Sequence, residues 1–234
     1  LLETKKKYGD ERKTEIISFY SDFTDEDLIP REDLIVTLSR EGYAKTQPLD
    51  IYRSQRRGGT GKRATSFKEE DFISKLFVAN THDTLLCFSS YGKVYWIKVY
   101  RLPRAGRNAK GRPIVNLLPL EKEERIQAIL PVSAFEEDKF VFMATEQGTV
   151  KKTPLSAYSR PMKNGIKAIK LKENDKVVSV EITDGTKEIM LFSDAGKAIR
   201  FSEKDARPLG RVSQGVIGMR LDKNQKVISL IVAK

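Results

Sequence analysis

The chain has 234 residues, of which 39% are hydrophobic, and its 43 Lys and Arg residues exceed its 32 Asp and Glu residues to give a net charge of +11. The hydrophobic content excludes an intrinsically disordered chain, and the single Cys and single His exclude a disulfide framework and the usual zinc sites. The sequence has no apolar run of about 18 residues and opens on charged residues, so it predicts neither a membrane-spanning helix nor a secretory signal, and we expect a cytoplasmic protein.

The first 33 residues differ in composition from the rest of the chain. Residues 1–17 are rich in Lys, Glu and Arg and poor in apolar residues, which predicts the end of a helix that belongs to an upstream part of a longer protein. Residues 22–33 are acidic and contain Pro30, which predicts a linker. We therefore expect a helix end and a linker over residues 1–33, and a folded domain over residues 34–234.

The positive charge is distributed unevenly. Residues 1–34 carry a net charge of −4, residues 35–112 carry +10 and residues 113–234 carry +5. An excess of this size attracts polyanions, and nucleic acid is the first candidate. The alternative is a soluble basic surface without a specific partner, and charge alone does not distinguish the two.

Four segments share one pattern, in which an apolar stretch is followed by a turn with glycine and then by a basic stretch. These segments are residues 35–52, 85–102, 140–158 and 189–206, and their turn glycines are Gly42, Gly92, Gly148 and Gly196. A second glycine follows each turn glycine after 17 or 19 residues, namely Gly61, Gly111, Gly165 and Gly215. The regular spacing predicts a repeat of about 50 residues.

Each repeat is predicted to contain about four short strands. The S/T-x-x-G sequence of the first hairpin is typical of a tight turn with glycine at positive φ. Further strands are predicted behind the second glycines at residues 64–72, 112–120, 166–171 and 216–221, and beyond them at 73–80, 125–132, 176–182 and 226–232. A single unit of this size cannot bury both faces of its sheet, so the units must stack. The pattern predicts an all-β, propeller-like fold, and it disfavours the alternative of a β-sandwich because two glycines keep their register in all four units.

Basic residues also recur at related positions in the repeats. Some follow the turn glycines or lie further along the same strand: Lys45, Lys93, Lys98, Lys151, Lys152, Lys197 and Arg200. Others precede the second glycines: Arg56, Arg57, Arg107, Lys110, Lys163 and Arg211. Equivalent positions of stacked units lie on one edge of the assembly, so we predict a basic rim that can follow a phosphate backbone. For any one of these residues, the alternative is an ordinary solvated side chain.

One loop stands out, the heptapeptide Gln55, Arg56, Arg57, Gly58, Gly59, Thr60 and Gly61, which Lys62 and Arg63 follow. Three glycines in four positions favour neither helix nor strand. Such a loop exposes backbone N–H groups between fixed positive charges, a combination that binds phosphates. Composition alone is equally compatible with a flexible basic linker.

This QRRGGTG sequence resembles the box that marks the C-terminal domain of DNA gyrase A subunits, within the type IIA topoisomerases. Six of the seven positions match, and Thr60 replaces the family's usual lysine. Similar stretches cover essentially the whole chain: KKYGDERKTEI, EDLIPREDLIVTLSREGYAK, VANTHDTLLCFSSYGKVY, GRPIVNLLPL and TVKKT. The C-terminal domain of the topoisomerase IV A subunit resembles the chain less, because it lacks an intact box.

The resemblance implies a β-pinwheel, a propeller-like disc whose blades exchange strands. It also implies that the domain wraps double-stranded DNA around a basic perimeter with positive handedness, and that the wrap enables ATP-dependent negative supercoiling. Of the box residues, Arg56 and Arg57 are expected to hold DNA late in the wrap. The implied partners are double-stranded DNA, the gyrase B subunit and the rest of the A subunit. The two subunits form an A2B2 holoenzyme that is associated with the chromosome in the bacterial cytoplasm. No catalytic residue, cofactor or metal is expected in this part, because ATP and Mg belong to other parts of the holoenzyme.

Two departures from the family affect these expectations. Thr60 removes one charge from the box, so a weaker grip of this loop on DNA is expected unless Lys62 substitutes for the missing lysine. The family disc has about six blades, whereas four repeats are recognisable here, so we expect a pinwheel that is incomplete relative to the family.

Two other classes of function fit the sequence less well. A propeller scaffold for proteins predicts a neutral rim and an apolar top face, which the charge excess disfavours. A propeller hydrolase or lyase needs convergent carboxylates or a metal cluster, and His82 has no evident nucleophile or second base beside it. Cys87 and Trp96 lie in apolar strands and are predicted to belong to the core.

Overall fold

The computed structural model describes residues 1–10, 14, 25–52, 72–106 and 109–233. The chain divides into a unit of residues 1–30 and a unit of residues 31–234. The first unit contains helix α1, Leu2–Tyr8, which has no buried residue, and a 3-10 turn at Asp25–Leu28. Within the described ranges, none of the helices has the length and apolar character needed to cross a membrane.

The second unit is built from strands that fall into four repeats of the same design. The strands are β1 (Asp33–Ser39), β2 (Tyr43–Pro48), β3 (Ile73–Asn80), β4 (Thr84–Ser89), β5 (Lys93–Lys98), β6 (Arg112–Pro113), β7 (Ile126–Val132), β8 (Phe140–Thr145), β9 (Thr149–Pro154), β10 (Ile166–Lys167), β11 (Val177–Thr183), β12 (Glu188–Ser193), β13 (Ala198–Ser202), β14 (Val216–Ile217) and β15 (Val227–Ala233).

Each sheet is centred on an antiparallel hairpin: β1–β2, β4–β5, β8–β9 or β12–β13. A long strand of the same repeat pairs with the first hairpin strand, and this strand is β3, β7, β11 or β15. The second hairpin strand pairs with a two-residue strand from the following repeat, so that β6 pairs with β2, β10 with β5 and β14 with β9. The described part of the fourth sheet has three strands, in the order β13-β12-β15. This exchange of strands between repeats confirms the predicted propeller-like β-pinwheel.

The predicted tight turns are present in all four repeats. Each turn glycine has a φ between +72° and +87°, a region that favours glycine. In each repeat, the hydroxyl three residues before the turn glycine accepts a hydrogen bond from the backbone N–H of the residue directly after that glycine, at 3.1 to 3.3 Å. These hydroxyls belong to Ser39, Ser89, Thr145 and Ser193. The S/T-x-x-G pattern therefore fixes each hairpin through local hydrogen bonds.

The exchanged strands are shorter than predicted. The sequence predicts strands over residues 112–120, 166–171 and 216–221, but pairing extends over only the first two residues of each, or residues 112–113, 166–167 and 216–217. The physical reason is the length of the hairpin, which ends at its turn glycine. The carbonyl of Gly92 accepts from both Ala168 and Ile169, and the carbonyl of Gly148 accepts from Gly218 and Met219, so no further strand backbone is available for pairing. The predicted strand at 64–72 lies largely outside the described residues.

Three apolar clusters occupy the spaces between successive sheets. The central strands contribute to the clusters on both sides, as Leu85 and Cys87 of β4 face the first sheet while Leu86 and Phe88 face the third. Cys87 is fully buried, which raises the pKa of its thiol to about 12, and Trp96 packs against the second cluster. Because the central strands are buried on both faces, exposed charges are placed mainly at the loops and edges.

Candidate nucleic-acid interface

After the second, third and fourth hairpins the chain crosses to the preceding sheet, through a stretch that we call a crossover segment. It runs from the residue after the hairpin, past the second glycine, to the end of the exchanged strand. The crossover segments are residues 99–113, 155–167 and 203–217. We count with them residues 49–63, the equivalent stretch of the first sequence repeat, most of which lies outside the described residues.

The crossover segments carry the whole positive excess of the chain. Together they contain 16 basic and 3 acidic residues, a net charge of +13, although they make up only a quarter of the sequence. All other residues together contain 27 basic and 29 acidic residues, a net charge of −2. The charge is therefore concentrated in one repeated structural element.

Most of the described cations in these segments are accessible to solvent. The exposed ones are Arg101, Arg104, Lys110, Arg112, Arg160, Lys163, Lys167, Lys204 and Arg207, and Arg211 is half-buried. Of the three acidic residues, Glu203 is fully buried. Within the described residues, Arg104 is the one cation of this set that forms an ion pair, with Glu32 at 2.6 Å. An anion can therefore approach nearly all of them.

Each described crossover segment is anchored to the preceding sheet at an equivalent place. In the second segment the N–H of Thr46 donates to the carbonyl of Pro103 at 2.9 Å, and in the fourth the N–H of Leu209 donates to the carbonyl of Lys152 at 2.8 Å. Thr46 and Lys152 occupy the same position, four residues after their turn glycines. In the third segment, the indole N–H of Trp96 donates to the carbonyl of Tyr158 at 2.8 Å. The segments thus lie at the same edge of successive sheets.

The structure accounts for only part of the predicted site. The glycine-rich box and its neighbours, Gln55, Arg56, Arg57, Gly58, Gly59, Thr60, Gly61, Lys62 and Arg63, lie outside the described residues, as does Arg107. Lys110 and Lys163 are exposed in crossover segments, where a rim residue is expected. Their role in DNA binding stays a prediction.

Three predicted rim lysines are buried in the sheets. Lys45 is 2% exposed, and its Nζ donates to the carbonyls of Gly106 and Ala109 at 3.2 and 2.9 Å. Lys152 is 5% exposed, and its Nζ donates to the carbonyl of Glu203 at 2.8 Å. Lys151 is fully buried. The predicted exposure on a basic rim is wrong for these three, because the crossover segment of the following repeat covers the strand on which each one lies.

Burial changes the titration of two of these lysines. The Nζ of Lys151 donates to the carbonyl of Ala168 at 2.6 Å and to the carbonyl of Arg211. Burial, with a smaller effect of the Arg211 charge, lowers the pKa of Lys151 to about 8. Burial likewise lowers the pKa of Lys45. Both shifts have the direction expected for cations that the fold encloses.

All of the remaining predicted residues except Arg211 lie on the hairpins, where local groups bind several of them. Lys93 forms an ion pair with Glu121, Lys197 with Asp222, and Arg200 with Glu188. Lys98 is half-buried and donates to the carbonyl of His82 at 3.0 Å, and Arg211 is half-buried in its crossover segment. The hydrogen bond from Lys197 also lowers the pKa of Asp222. Pairing reduces the charge that these hairpin cations can offer to DNA.

The sequence pattern missed most of the exposed cations in the crossover segments. These are Arg101, Arg104, Arg112, Arg160, Lys167, Lys204 and Arg207. Three of them, Arg104, Arg160 and Arg207, recur 12, 12 and 11 residues after the turn glycines of their repeats, but their distance from the second glycine varies, and a comparison based on that glycine misses them. The signal that would have found the whole set is the net charge of the stretch from the end of each hairpin to two residues beyond the second glycine.

A family model described as "DNA gyrase C-terminal domain, beta-propeller" matches residues 33–80, 83–133, 139–184 and 187–234, which correspond to the four structural repeats. The chain belongs to this DNA gyrase C-terminal domain family. The resemblance inferred from the box is thereby confirmed.

Relatives and solved structures of the family agree with this assignment. The chain is 60% identical over 221 residues to the DNA gyrase A subunit of Haemophilus influenzae, and the match covers 94% of this chain and 25% of that protein. The chain thus spans about a quarter of that relative's length. A solved C-terminal domain of DNA topoisomerase IV superposes with a TM-score of 0.76 at 30% identity, covering 88% of this chain and 62% of that one. A solved DNA gyrase A C-terminal domain gives 0.66 at 28% identity, covering 87% and 66%.

No cluster of three or more His, Cys, Asp or Glu side chains suited to a metal ion occurs in the part of this gyrase-family chain that the structure describes. Its candidate functional surface consists instead of the cationic crossover segments.

Proposed function

We propose that this chain binds double-stranded DNA without sequence preference and bends it along the crossover segments. In a gyrase holoenzyme this wrap supports ATP-dependent negative supercoiling. The observation that carries the proposal is the charge distribution, with +13 in the crossover segments and −2 in all other residues. Because the described segments lie at one edge of successive sheets, a DNA duplex that follows this edge meets cations from the second, third and fourth repeats in turn.

The energetics of such binding are favourable at moderate salt. Smooth bending of 20–30 bp by 40–90° costs on the order of 1–6 kcal/mol. Each neutralised phosphate releases counterions and contributes roughly 0.9 to the slope of log affinity against log salt. Several accessible cations in each described crossover segment are sufficient to offset the bending cost.

The described elements favour contacts with the phosphate backbone over reading of bases. The one α-helix in the described residues, α1, has seven residues, and the exposed cations lie on loops and two-residue strands. Phosphate contacts fix the position of a protein on DNA but carry no sequence information. Sequence-dependent deformability of the duplex is then the remaining source of preference.

Membership of the family supports a role in a holoenzyme. We expect the chain to act with the rest of the gyrase A subunit, together with the B subunit, in the bacterial cytoplasm on the chromosome. DNA cleavage and ATP hydrolysis, with Mg and ATP bound, are assigned to other parts of that assembly. This part supplies the path of the DNA.

The test measures DNA topology. Nicked circular DNA is incubated with the chain, sealed with ligase and freed of protein, and its linking number is measured. A positive wrap gives products with a raised linking number, in proportion to the protein bound. Binding in a gel shift without any change in linking number would contradict wrapping.

A second candidate function is DNA binding in a topoisomerase IV. This candidate is favoured by the TM-score of 0.76 to the topoisomerase IV domain, against 0.66 for the gyrase domain. The 60% identity to a gyrase A subunit favours the first candidate. Supercoiling by a holoenzyme that carries the chain distinguishes the two, because it requires the wrap.

A further inference from the structure

Two buried lysines occupy the same position in different repeats. Lys45 and Lys151 each lie three residues after the turn glycine of their hairpin, and they are 2% and 0% exposed. Both amines point to main-chain oxygens of the crossover segment that belongs to the following repeat. Lys45 donates to Gly106 and Ala109, and Lys151 donates to Arg211.

The other two repeats have different residues at this position. In the second repeat it is Tyr95, whose hydroxyl donates to the carboxylate of Glu124, outside any crossover segment. In the fourth repeat it is Ile199, which is 38% exposed. A cation beneath a crossover segment is therefore a feature of the first and third repeats, and Tyr95 provides a natural comparison.

The geometry explains why these amines constrain the backbone. A buried ammonium group needs acceptors for its protons, and a lysine has three to donate. Lys151 joins two separate stretches, the carbonyl of Ala168 at 2.6 Å in the segment after β10 and the carbonyl of Arg211 in the fourth crossover segment. Lys45 binds the carbonyls of residues 106 and 109 within one segment.

We propose that Lys45 and Lys151 are positioning residues for DNA binding, which hold the crossover segments of the following repeats in place through their backbone carbonyls while contacting no phosphate themselves. This inference rests on the proposed function. For Lys151, the cations positioned in this way are Arg207 and Arg211, and for Lys45 they are Arg104 and Lys110.

The test compares Lys151→Met and Lys45→Met with Tyr95→Phe. The two Met variants keep an apolar stem and remove the amine. Tyr95→Phe keeps the ring in place and removes a buried hydrogen bond at the same position, one that is made to Glu124 and not to a crossover segment. Affinity for a 40-bp duplex and its salt slope are measured by fluorescence anisotropy at a temperature where all variants are folded.

We expect Lys151→Met to weaken binding roughly 5- to 10-fold near 100 mM salt. It should also lower the slope of log affinity against log salt by the equivalent of one to two phosphate contacts, at about 0.9 for each contact. Lys45→Met should act in the same direction. Tyr95→Phe should lower the melting temperature and leave both DNA parameters unchanged. Wild-type affinity and slope in both Met variants would overturn the proposal, and Lys45→Met keeps it testable if Lys151→Met does not fold.

A double-mutant cycle separates positioning from general stability. Arg207→Gln with Arg211→Gln is measured in the wild type and in Lys151→Met. If Lys151 acts through this segment, the arginine substitutions cost less in the Lys151→Met background, because the contacts are already impaired. Additive costs would overturn the inference. An absence of salt-dependent binding by the wild type would instead contradict the proposed function itself.

Discussion

Lys151 is a cation without exposed surface, and the fold accommodates it with two backbone carbonyls. The same hairpin position holds a lysine in the first repeat, a tyrosine in the second and an isoleucine in the fourth. The environment of a single side chain in this fold therefore depends on what the next repeat places above it. A charged residue type does not by itself indicate a place on the surface.

The lowered pKa of Lys151 has a consequence for stability. Its folded pKa is about 8, whereas an unfolded lysine titrates at about 10.4. At pH values between these two pKa values, the unfolded chain binds more protons than the folded chain. The contribution of Lys151 to the free energy of unfolding therefore rises with pH, with a slope that corresponds to the release of at most one proton. Denaturant unfolding from pH 7 to pH 10 measures it, and Lys151→Met should lack this component. Parallel curves for the two proteins would contradict it.

Arg56 and Arg57 belong to the box that the family resemblance assigns to DNA binding. Their joint substitution by Ala should leave folding intact, because the glycine-rich sequence around them predicts a loop and not a part of the core. In a holoenzyme, negative supercoiling should fall while relaxation and decatenation persist, since only the first requires the wrap. Gel assays of the three activities provide the measurement, and equal loss of all three would refute a role in wrapping.

At the scale of structural elements, the second glycines allow the exchanged strands to approach the preceding sheet. Gly215 has a φ of +95°, and a Cβ built on it would lie 2.4 Å from the carbonyl oxygen of Val150. Gly111 shows the same arrangement, with a φ of +89° and 2.3 Å to the carbonyl oxygen of Ala44. Glycine is required at these positions both by the backbone and by the close contact.

Two glycine substitutions separate these requirements. Gly196→Ala places a Cβ in open space at a φ of +74°, so its cost should be the roughly 1–2 kcal/mol of a left-handed residue. Gly215→Ala adds the clash with Val150, and a further cost of about 1–3 kcal/mol is expected. Chemical denaturation of the two variants measures the difference. Equal destabilisation would show that the close approach is not required.

At the scale of the whole molecule, charge is separated by structural element. The sheets bury apolar residues on both faces of their central strands, and the crossover segments between them carry the entire positive excess. The same exchange that holds successive sheets together thus brings the cations to a common edge. Stability and the proposed DNA path depend on one topological feature.

Binding to DNA should be strongly salt-dependent and should depend on the crossover segments. Six to ten phosphate contacts would reduce affinity by about 10³–10⁵ between 50 and 200 mM salt. Arg160→Gln with Lys163→Gln should lower the slope by about 1.8, whereas Lys172→Gln with Lys223→Gln, exposed residues outside the segments, should leave it unchanged. Anisotropy titrations in a salt series measure this, and equal effects of both pairs would contradict a localised path.

Much of the fold could be predicted from local sequence. The S/T-x-x-G turns, the spacing of the two glycines and the alternation of apolar residues determine the hairpins and the number of repeats, because these features depend on neighbouring residues and on φ. The exchanged strands were placed correctly behind Gly111, Gly165 and Gly215 but were predicted too long. Their length depends on where a distant hairpin ends, which periodicity does not contain.

The sequence by itself determined the repeat, the hairpins, the basic character of the chain and its resemblance to the gyrase family. Only the tertiary structure decided which cations are available to an anion. Lys45 and Lys151 look like rim residues in the sequence, yet the following repeat covers them, while Arg160 and Arg207, which the sequence analysis does not single out, are exposed. The physical reason is that burial here results from strand exchange between repeats, a long-range contact that the local pattern of a strand does not record.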